Sequence, residues 1–512
     1  MRLIETVVTS RSATFEICNG HPWISPWSHH WTIDDQLRGT TTRNVFTVYG
    51  LESDTHYCLR LDSGDARAEL EFKTAPERVR LDVREFGAVG DGLADDTAAI
   101  CAALNACCAQ GVVEVPAGEW VSGPQFLRSG VDLHLARGAR LIGHPDIDRW
   151  PVLPGRVNGP AKEGGYYLGS WEGQPDTCHA ALLNGIDIHD VRIWGEGCID
   201  ANASFTTWWS RPKGRFRGWR PRTIYLVRAE RIDIAGITLR NSPSWTVHAL
   251  WSHSLNFSDL RIESPPRSPN TDGIVPESCQ QVRITGARIS TGDDCVAIKS
   301  GREWVAARLA GPTRAVSISN CLMERGHGAV AIGSEMSGGV YDVSIRDCVF
   351  RGTDRGLRIK TRRGRGKTAI VDGVRLERIT MDRVGTAFAV NSFYSCNPDG
   401  QTSYPSDLQF VPVDDATPTL RNICLRDVLS ENTTHSAGYV LGLPERPLQG
   451  LTIERYRVRF DPAAAPGVFE RAEGMQPVVR SGLLLSNARD THLDAVDIQG
   501  SKGPALIREN AE

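Results

Sequence analysis

One pattern limits this chain more than any other. A short apolar signature recurs at Ile232-Asp233-Ile234, Leu255-Asn256-Phe257, Val282-Arg283-Ile284, Val316-Ser317-Ile318, Val343-Ser344-Ile345 and Val374-Arg375-Leu376. The intervals between first members run 23, 27, 34, 27 and 31. Five positions after each stands another apolar or small residue: Ile237, Leu260, Ala287, Cys321, Cys348 and Ile379. Alternate side chains of a strand share one face, so each triplet turns two apolar groups inward and its middle residue outward. Strand-rich, helix-poor units of irregular length predict a parallel β-helix, each coil burying its inward residues against coils ~4.8 Å away.

The bulk numbers agree with that architecture. At 512 residues the chain exceeds one ordinary globular core. Fifty glycines against five methionines favour turns over flexible core filling. No apolar run approaches the ~18–20 residues of a membrane span, so no membrane partner is expected. The opening MRLIETVVTSRSATFEI carries one early Arg but no continuous apolar stretch and no small-residue cleavage site. Thirteen cysteines are scattered without a CxxC pair or metal-ligand spacing, which reads as free thiols in a reducing compartment and no metal. A cytoplasmic location is expected; a periplasmic or secreted one follows if a leader has been removed.

Residues 1–77 read as a separate small β unit, with segments such as Val45–Tyr49 and Cys58–Leu61 alternating between turn-rich breaks. In GLESDTHYCLRL, Leu51 stands six residues before Tyr57, which resembles the tyrosine corner of fibronectin type III sandwiches. Residues 78–512 form the second unit. Asp95-Asp96-Thr97 offers N-caps for a helix over 96–110, ending at Gly111. Such a helix would cover the open first coil, whose unpaired strand edge would otherwise invite aggregation. Cys321 and Cys348 share one inward position in consecutive coils and read as stacked core thiols.

Four polar groupings follow the same rhythm: Asn270-Thr271-Asp272, Gly292-Asp293-Asp294, Gly326-His327-Gly328 and Arg358-Ile359-Lys360. The intervals are 21 from Asp272 to Asp293, 33 from Asp294 to His327 and 31 from His327 to Arg358. Coiling turns them into a stripe along one flank. In the last grouping the strand period sends Ile359 inward and both cations outward onto the surface. The glycines around His327 allow an unusual backbone or the close approach of a ligand. Taken singly, an Asp-Asp pair is a turn decoration, a lone His is idle and an Arg-x-Lys is a solvated face. Together, three carboxylates cannot all ionise cheaply, so one is held protonated as an acid beside ionised partners. Two nearby cations suit a substrate bearing carboxylates. That is the chemistry of hydrolysis of an acidic polysaccharide.

NTDGI (270–274), TGDDCVAIKSG (291–301), GHGAVAIGSEMSGGV (326–340) and RGLRIKTRRGRG (355–366) stand in the order of the four signature regions of glycoside hydrolase family 28, the polygalacturonases. The chain resembles that family over about residues 80–500, and FGAVGDGLADDTAAI (86–100) is similar to the opening of pectinase-type helices. The resemblance implies an all-β fold: a right-handed parallel β-helix, pectin-lyase-like, preceded by a small fibronectin type III-like β-sandwich. It implies inverting hydrolysis of α-1,4 bonds between galacturonate units, without a cofactor. Asp293 would be the general acid. Asp272 and Asp294 would activate the water, at the ~6.5–9.5 Å that inversion ordinarily needs. His327 would hold the acid's charge state, and Arg358, Lys360, Asn270 and Tyr394 of NSFYSC would bind substrate. Val275 departs from the family, where an acidic residue often follows NTDGI.

Two further stretches are expected to shape the cleft. Residues 204–222, SFTTWWSRPKGRFRGWRPR, interleave six Arg/Lys with Phe and Trp, and residues 154–175 are glycine-rich with paired tyrosines. Basic-aromatic interleaving also marks nucleic-acid binding, but the overall net charge of −3 and the hydrolase stripe argue against it, and no nucleic-acid partner is expected. The first stretch reads as a grip on the anionic chain end, favouring exo action over endo action. The alternatives are an endo-polygalacturonase, a rhamnogalacturonan or xylogalacturonan hydrolase, a lyase needing Ca²⁺, and a binding-only β-helix. Oligomeric state is not legible.

Overall fold

The computed structural model describes residues 1–64, 66–155, 167–303, 305, 311–396, 400–467 and 476–512. The recurrent triplets line up as their spacing predicts. Ile232, Leu255, Val282, Val316, Val343 and Val374 stand in register across successive parallel strands and are buried. So are the six residues five positions on. Among the described residues, 33 strands join into one sheet of three parallel ladders that wind as a right-handed β-helix. One apolar column fills its interior from Val83 to Ala488. Each fully buried Val, Ile or Leu in it contributes about 1.5–3 kcal/mol. Cys321 and Cys348 stack there, the Cys321 backbone N–H donating to the Cys348 thiol at 3.5 Å.

A helix, α1 (Thr97–Ala106), covers the first coil by burying Ile100, Ala103 and Leu104. It is shorter than the sequence predicted: Cys107 is already extended, and Gly111 opens the strand Gly111–Val115. Asp95 Oδ1 accepts from the Thr97 N–H at 3.1 Å. Asp96 turns away and ties the preceding loop instead, accepting from Val89 and Gly90.

Seven antiparallel strands precede the helix: β1 (Arg2–Val8), β2 (Ser12–Cys18), β3 (Ile24–Ile33), β4 (Gln36–Arg43), β5 (Val45–Tyr49), β6 (His56–Asp62) and β7 (Arg67–Lys73). They make a three-stranded sheet, β1-β2-β5, and a four-stranded sheet, β4-β3-β6-β7. Their shared core includes Phe15, Phe46, Leu59 and Phe72. Tyr57 forms the corner that the Leu51–Tyr57 spacing anticipated: its hydroxyl accepts from the Glu52 N–H at 2.9 Å.

The sandwich docks on corners of the β-helix. Asp259, Asn320 and Asp347 adopt left-handed backbone there, which Asn and Asp tolerate best after Gly. Asp259 accepts from Arg43 at 2.6 Å and Thr47 at 2.8 Å. Glu16, buried in the joint, accepts from Asn320 at 2.9 Å and Arg346 at 3.1 Å. This joint lies along the first ladder, whereas the polar groupings lie along the third.

Candidate active site

Five consecutive strands of the third ladder carry the site: β8 (Ile274–Glu277), β9 (Val296–Ile298), β10 (Val330–Ile332), β11 (Arg355–Lys360) and β12 (Thr386–Asn391). Ile274, Val296, Val330, Leu357 and Phe388 are in register and fill the core. Counting back two residues places Asp272, Asp294, Gly328 and Arg355 in one row. Counting back three places Thr271, Asp293, His327 and Asp354 in the next. Backbone bonds fix both rows: Gly273 N to Asp294 O at 3.0 Å, and His327 N to Asp293 O at 3.1 Å. The expected stripe is therefore two adjacent rows, with Asp272 aligned on Asp294 rather than on Asp293.

Both aspartates of the pair can reach the cleft because the backbone bends before β9 begins. The Asp294 N–H donates to Asp293 Oδ1 at 2.9 Å, and the Thr291 hydroxyl donates to Asp293 O at 2.9 Å. One carboxylate oxygen from each of Asp272, Asp293 and Asp294 lies within 4.8 Å of the other two.

The carboxylates are not equivalent. Burial, then the charge of Asp293, push Asp272 well above the usual carboxylate range. Asp294 is just as buried but is held below that range by Lys360 and Arg358, which overcome the burial. Lys360 Nζ donates to Asp294 Oδ2 at 2.8 Å, and Arg358 Nη1 to Asp294 Oδ1 at 3.2 Å. The bland reading of Arg-x-Lys as a solvated face does not hold here. Ile359 does point inward, yet Arg358 and Lys360 are only 4% and 5% exposed. Tyr394 lies against both, its ring centre 5.5 Å from the Arg358 guanidinium and 5.6 Å from Lys360 Nζ.

His327 is half exposed at the mouth of the site, and its Nδ1 stands 2.8 Å from Asp354 Oδ2. That hydrogen bond raises its pKa, with Asp293 and Asp294 adding to the effect. The flanking glycines have separate reasons. Gly326 has φ +110, an unusual backbone. At Gly328 a Cβ would stand 2.8 Å from Asp294 Oδ1, so the close neighbour is the carboxylate itself.

Asn270, left-handed at φ 55, has its Oδ1 taken by Arg220 at 2.7 Å. The basic stretch divides in two. Arg220 and Arg222 are buried scaffolding; Arg220 also donates to the carbonyls of Pro243 and Pro269, both at 2.7 Å. Arg215 and Arg217 are exposed and pair with Asp176 and Asp148. From the second stretch, residues 156–166, with Tyr166 of the tyrosine pair, lie outside the described residues. Residues 170–175 form a hairpin, Ser170–Trp171 against Gln174–Pro175. Its Trp171 ring is stacked between Trp219 at 4.6 Å and Trp245 at 6.3 Å. Its tip is tied to the coil after β9, where the Arg302 N–H donates to Gly173 O at 3.1 Å and the Arg302 side chain reaches Glu172 at 3.2 Å.

Residues 168–463, which hold both rows, match the sequence model of glycosyl hydrolases family 28. A probable polygalacturonase of Vitis vinifera is 34% identical over 387 residues, covering 73% of each chain. The chain is a member of glycosyl hydrolase family 28. An endo-polygalacturonase of Pectobacterium carotovorum subsp. carotovorum is 29% identical over 347 residues, 63% of this chain and 78% of that one. Among solved structures, the Yersinia enterocolitica family 28 exopolygalacturonase superposes with a TM-score of 0.74 over 99% of this chain and 98% of its own, at 19% identity.

This family 28 enzyme is a polygalacturonase that hydrolyses polygalacturonate. Its Val275, where an acidic residue was expected, packs with Trp245 and Ala297 as an apolar floor beside the aspartates. Sequence reasoning passed over Asp354, the partner of His327, and Lys299, which pairs with Glu335 at 2.7 Å in a buried position. Lys299 was visible as the one charged residue in the apolar run CVAIKSG.

Proposed function

We propose that this family 28 enzyme is exo-acting and inverting, with galacturonate on both sides of the cleaved bond. Asp293 gives its proton to the leaving glycosidic oxygen. Asp294, immobilised and ionised by Lys360 and Arg358, orients the water, and Asp272 takes the water's proton. Arg358 and Lys360 lie next to the trio, where a substrate carboxylate completes their coordination. His327, whose protonated form Asp354 favours, stands in the row of Asp293 and steadies its charge.

The observation that carries the exo reading is the hairpin at 170–175. Trp245 precedes Asp272 by one coil in the same row, since Val247 is in register with Ile274 and the Thr246 N–H donates to Asp272 O. Trp171, lying on Trp245, makes a wall beside the aspartates on the side away from Arg358. A polymer running along the rows then enters by one end only. A time course of products from polygalacturonate and trigalacturonate, resolved by anion-exchange chromatography, tests this. Monomer or dimer from the start, with little loss of viscosity, supports it. An early ladder of intermediate oligomers overturns it.

One observation favours exchanging the acid and base roles: Asp272 is the carboxyl that burial and Asp293 push upward. A galacturonoside with a good leaving group decides between the two, because it no longer needs an acid. Under the assignment above, Asp293→Asn recovers much of its rate on that substrate and Asp272→Asn does not.

A further inference from the structure

Lys299 repeats the geometry of Lys360 two coils earlier. Ile298, Ile332 and Ile359 are in register, so Lys299 and Lys360 follow equivalent residues on β9 and β11. Lys360 leans back across two coils to reach Asp294. Lys299 leans back across two coils as well, its Nζ lying 4.9 Å from the ring centre of Trp245. Asp272 belongs to the coil between them, in the row of Trp245. The surface that Lys299 crosses is apolar, made by Ala297 and Val275. Its ammonium is held at 2.7 Å by Glu335, and the two side chains are only 7% and 8% exposed. A buried pair of this kind leaves little water to screen its field.

We propose that Lys299, held by Glu335, is a positioning residue whose ammonium favours the ionised form of Asp272 and so sets the pH at which that base becomes available. This rests on the base role assigned to Asp272 above. Asp272 faces the carboxylates of Asp293 and Asp294, which disfavour its charge, and the ammonium groups of Lys299 and Lys360, which favour it. Arg220 also feels Asp272 from the neighbouring loop. Of the two cations, Lys299 acts on Asp272 more strongly than Lys360 does, against the burial and the Asp293 charge that oppose ionisation. The charge of Asp293 opposes ionisation of Asp272, so the general-acid role assigned to Asp293 and the base role assigned to Asp272 are compatible. Lys299 in turn faces Glu335, Glu277 and Asp294; Glu277 pairs with the buried His248 at 2.9 Å.

The two partners must act in opposite directions. Lys299→Met removes the favourable charge, so Asp272 ionises at higher pH and the acid limb of kcat/KM moves up by on the order of one pH unit. Glu335→Gln leaves Lys299 uncompensated, and the same limb moves down. Loss of structure gives no pair of opposite shifts. Because Lys299→Met strands a buried carboxylate, the double variant Lys299→Met/Glu335→Gln is measured too. Its limb also moves up, since it is the ammonium that lies in the row of Asp272. Limbs that coincide with wild type in all three variants, or that move the same way in both singles, overturn the proposal. Asp272→Asn, run beside them, separates two failures. If it keeps the wild-type rate, the base assignment is wrong and this inference falls with it. If it is inactive while the limbs stay fixed, Asp272 is the base and Lys299 does not act on it.

Discussion

Lys360 Nζ stands 2.8 Å from Asp294 Oδ2, although 66 residues separate them in the chain. Two coils of β-helix bring them together, with Gly328 leaving room between. The pairing turns a buried carboxylate into a fixed, ionised one, which a hydrolytic site can use to aim a water.

Lys360→Ala removes the nearer cation and leaves Asp294 buried with less compensation. The expected cost is about 3 kcal/mol of stability near neutral pH. The sign follows from the depressed pKa of Asp294. Its contribution is present above the unfolded carboxylate value of about 4 and is lost as the pH falls below it. Urea denaturation of both proteins should therefore show a gap at pH 7 that narrows below about pH 4. A gap independent of pH would break the link to Asp294.

Gly328→Ala places a methyl group against Asp294 Oδ1 while the residue keeps an ordinary backbone angle. The carboxylate must shift by a fraction of an ångström, and misplacement of reacting groups on that scale costs on the order of 100-fold in rate. Thermal stability should change little. Kinetics and a melting curve on one preparation check both halves, and unchanged kcat would show that the trio tolerates displacement.

Asp354→Asn replaces the carboxylate whose charged hydrogen bond raises the pKa of His327 with a neutral amide. His327 then loses its proton at lower pH, and the basic limb of the activity profile moves downward. A titration of the His327 ring by NMR in the same variant should move in the same direction. If the ring shifts but the activity limb does not, protonated His327 is not needed for turnover.

Glu16→Ala takes the acceptor from Asn320 and Arg346 at the joint between sandwich and β-helix. Hydrogen bonds to a buried charge contribute about 1.5–3 kcal/mol each. Limited proteolysis between Lys73 and Arg80 should accelerate markedly. Activity on polygalacturonate at 25 °C should stay near wild type, because the joint is on the first ladder and the aspartates are on the third. A parallel loss of activity would give the sandwich a part in the site.

The sequence told most where its signals are periodic. The Val-x-Ile triplets named the inward residues of the first ladder, and the same rhythm brought the acids, His327 and the cations to one flank. Periodicity could not say which row each residue joins, because the bend at Asp293-Asp294 lies outside any strand. Nor could it foresee that Arg358 and Lys360 are buried: an outward strand position reads as solvated until Tyr394, from the following coil, covers it. Trp171 meets Trp245 from a hairpin far back in the chain, and Lys299 meets Glu335 from the following coil. Such contacts depend on where a loop folds back, which no local pattern records. The end of α1 was misplaced because Gly111 looked like a helix stop, whereas it opens the next strand.

The most direct test of the proposed chemistry is the anomeric form of the first product. One oxygen from each aspartate lies within 4.8 Å of the others, so the trio offers a carboxylate to attack the sugar as well as carboxylates to hold a water. A water held by Asp272 and Asp294 gives inversion. Proton NMR during the first turnovers on an oligogalacturonide, before mutarotation, should show the new reducing end in the β configuration. A first product in the α configuration would mean a covalent intermediate on one of the aspartates and would contradict the account.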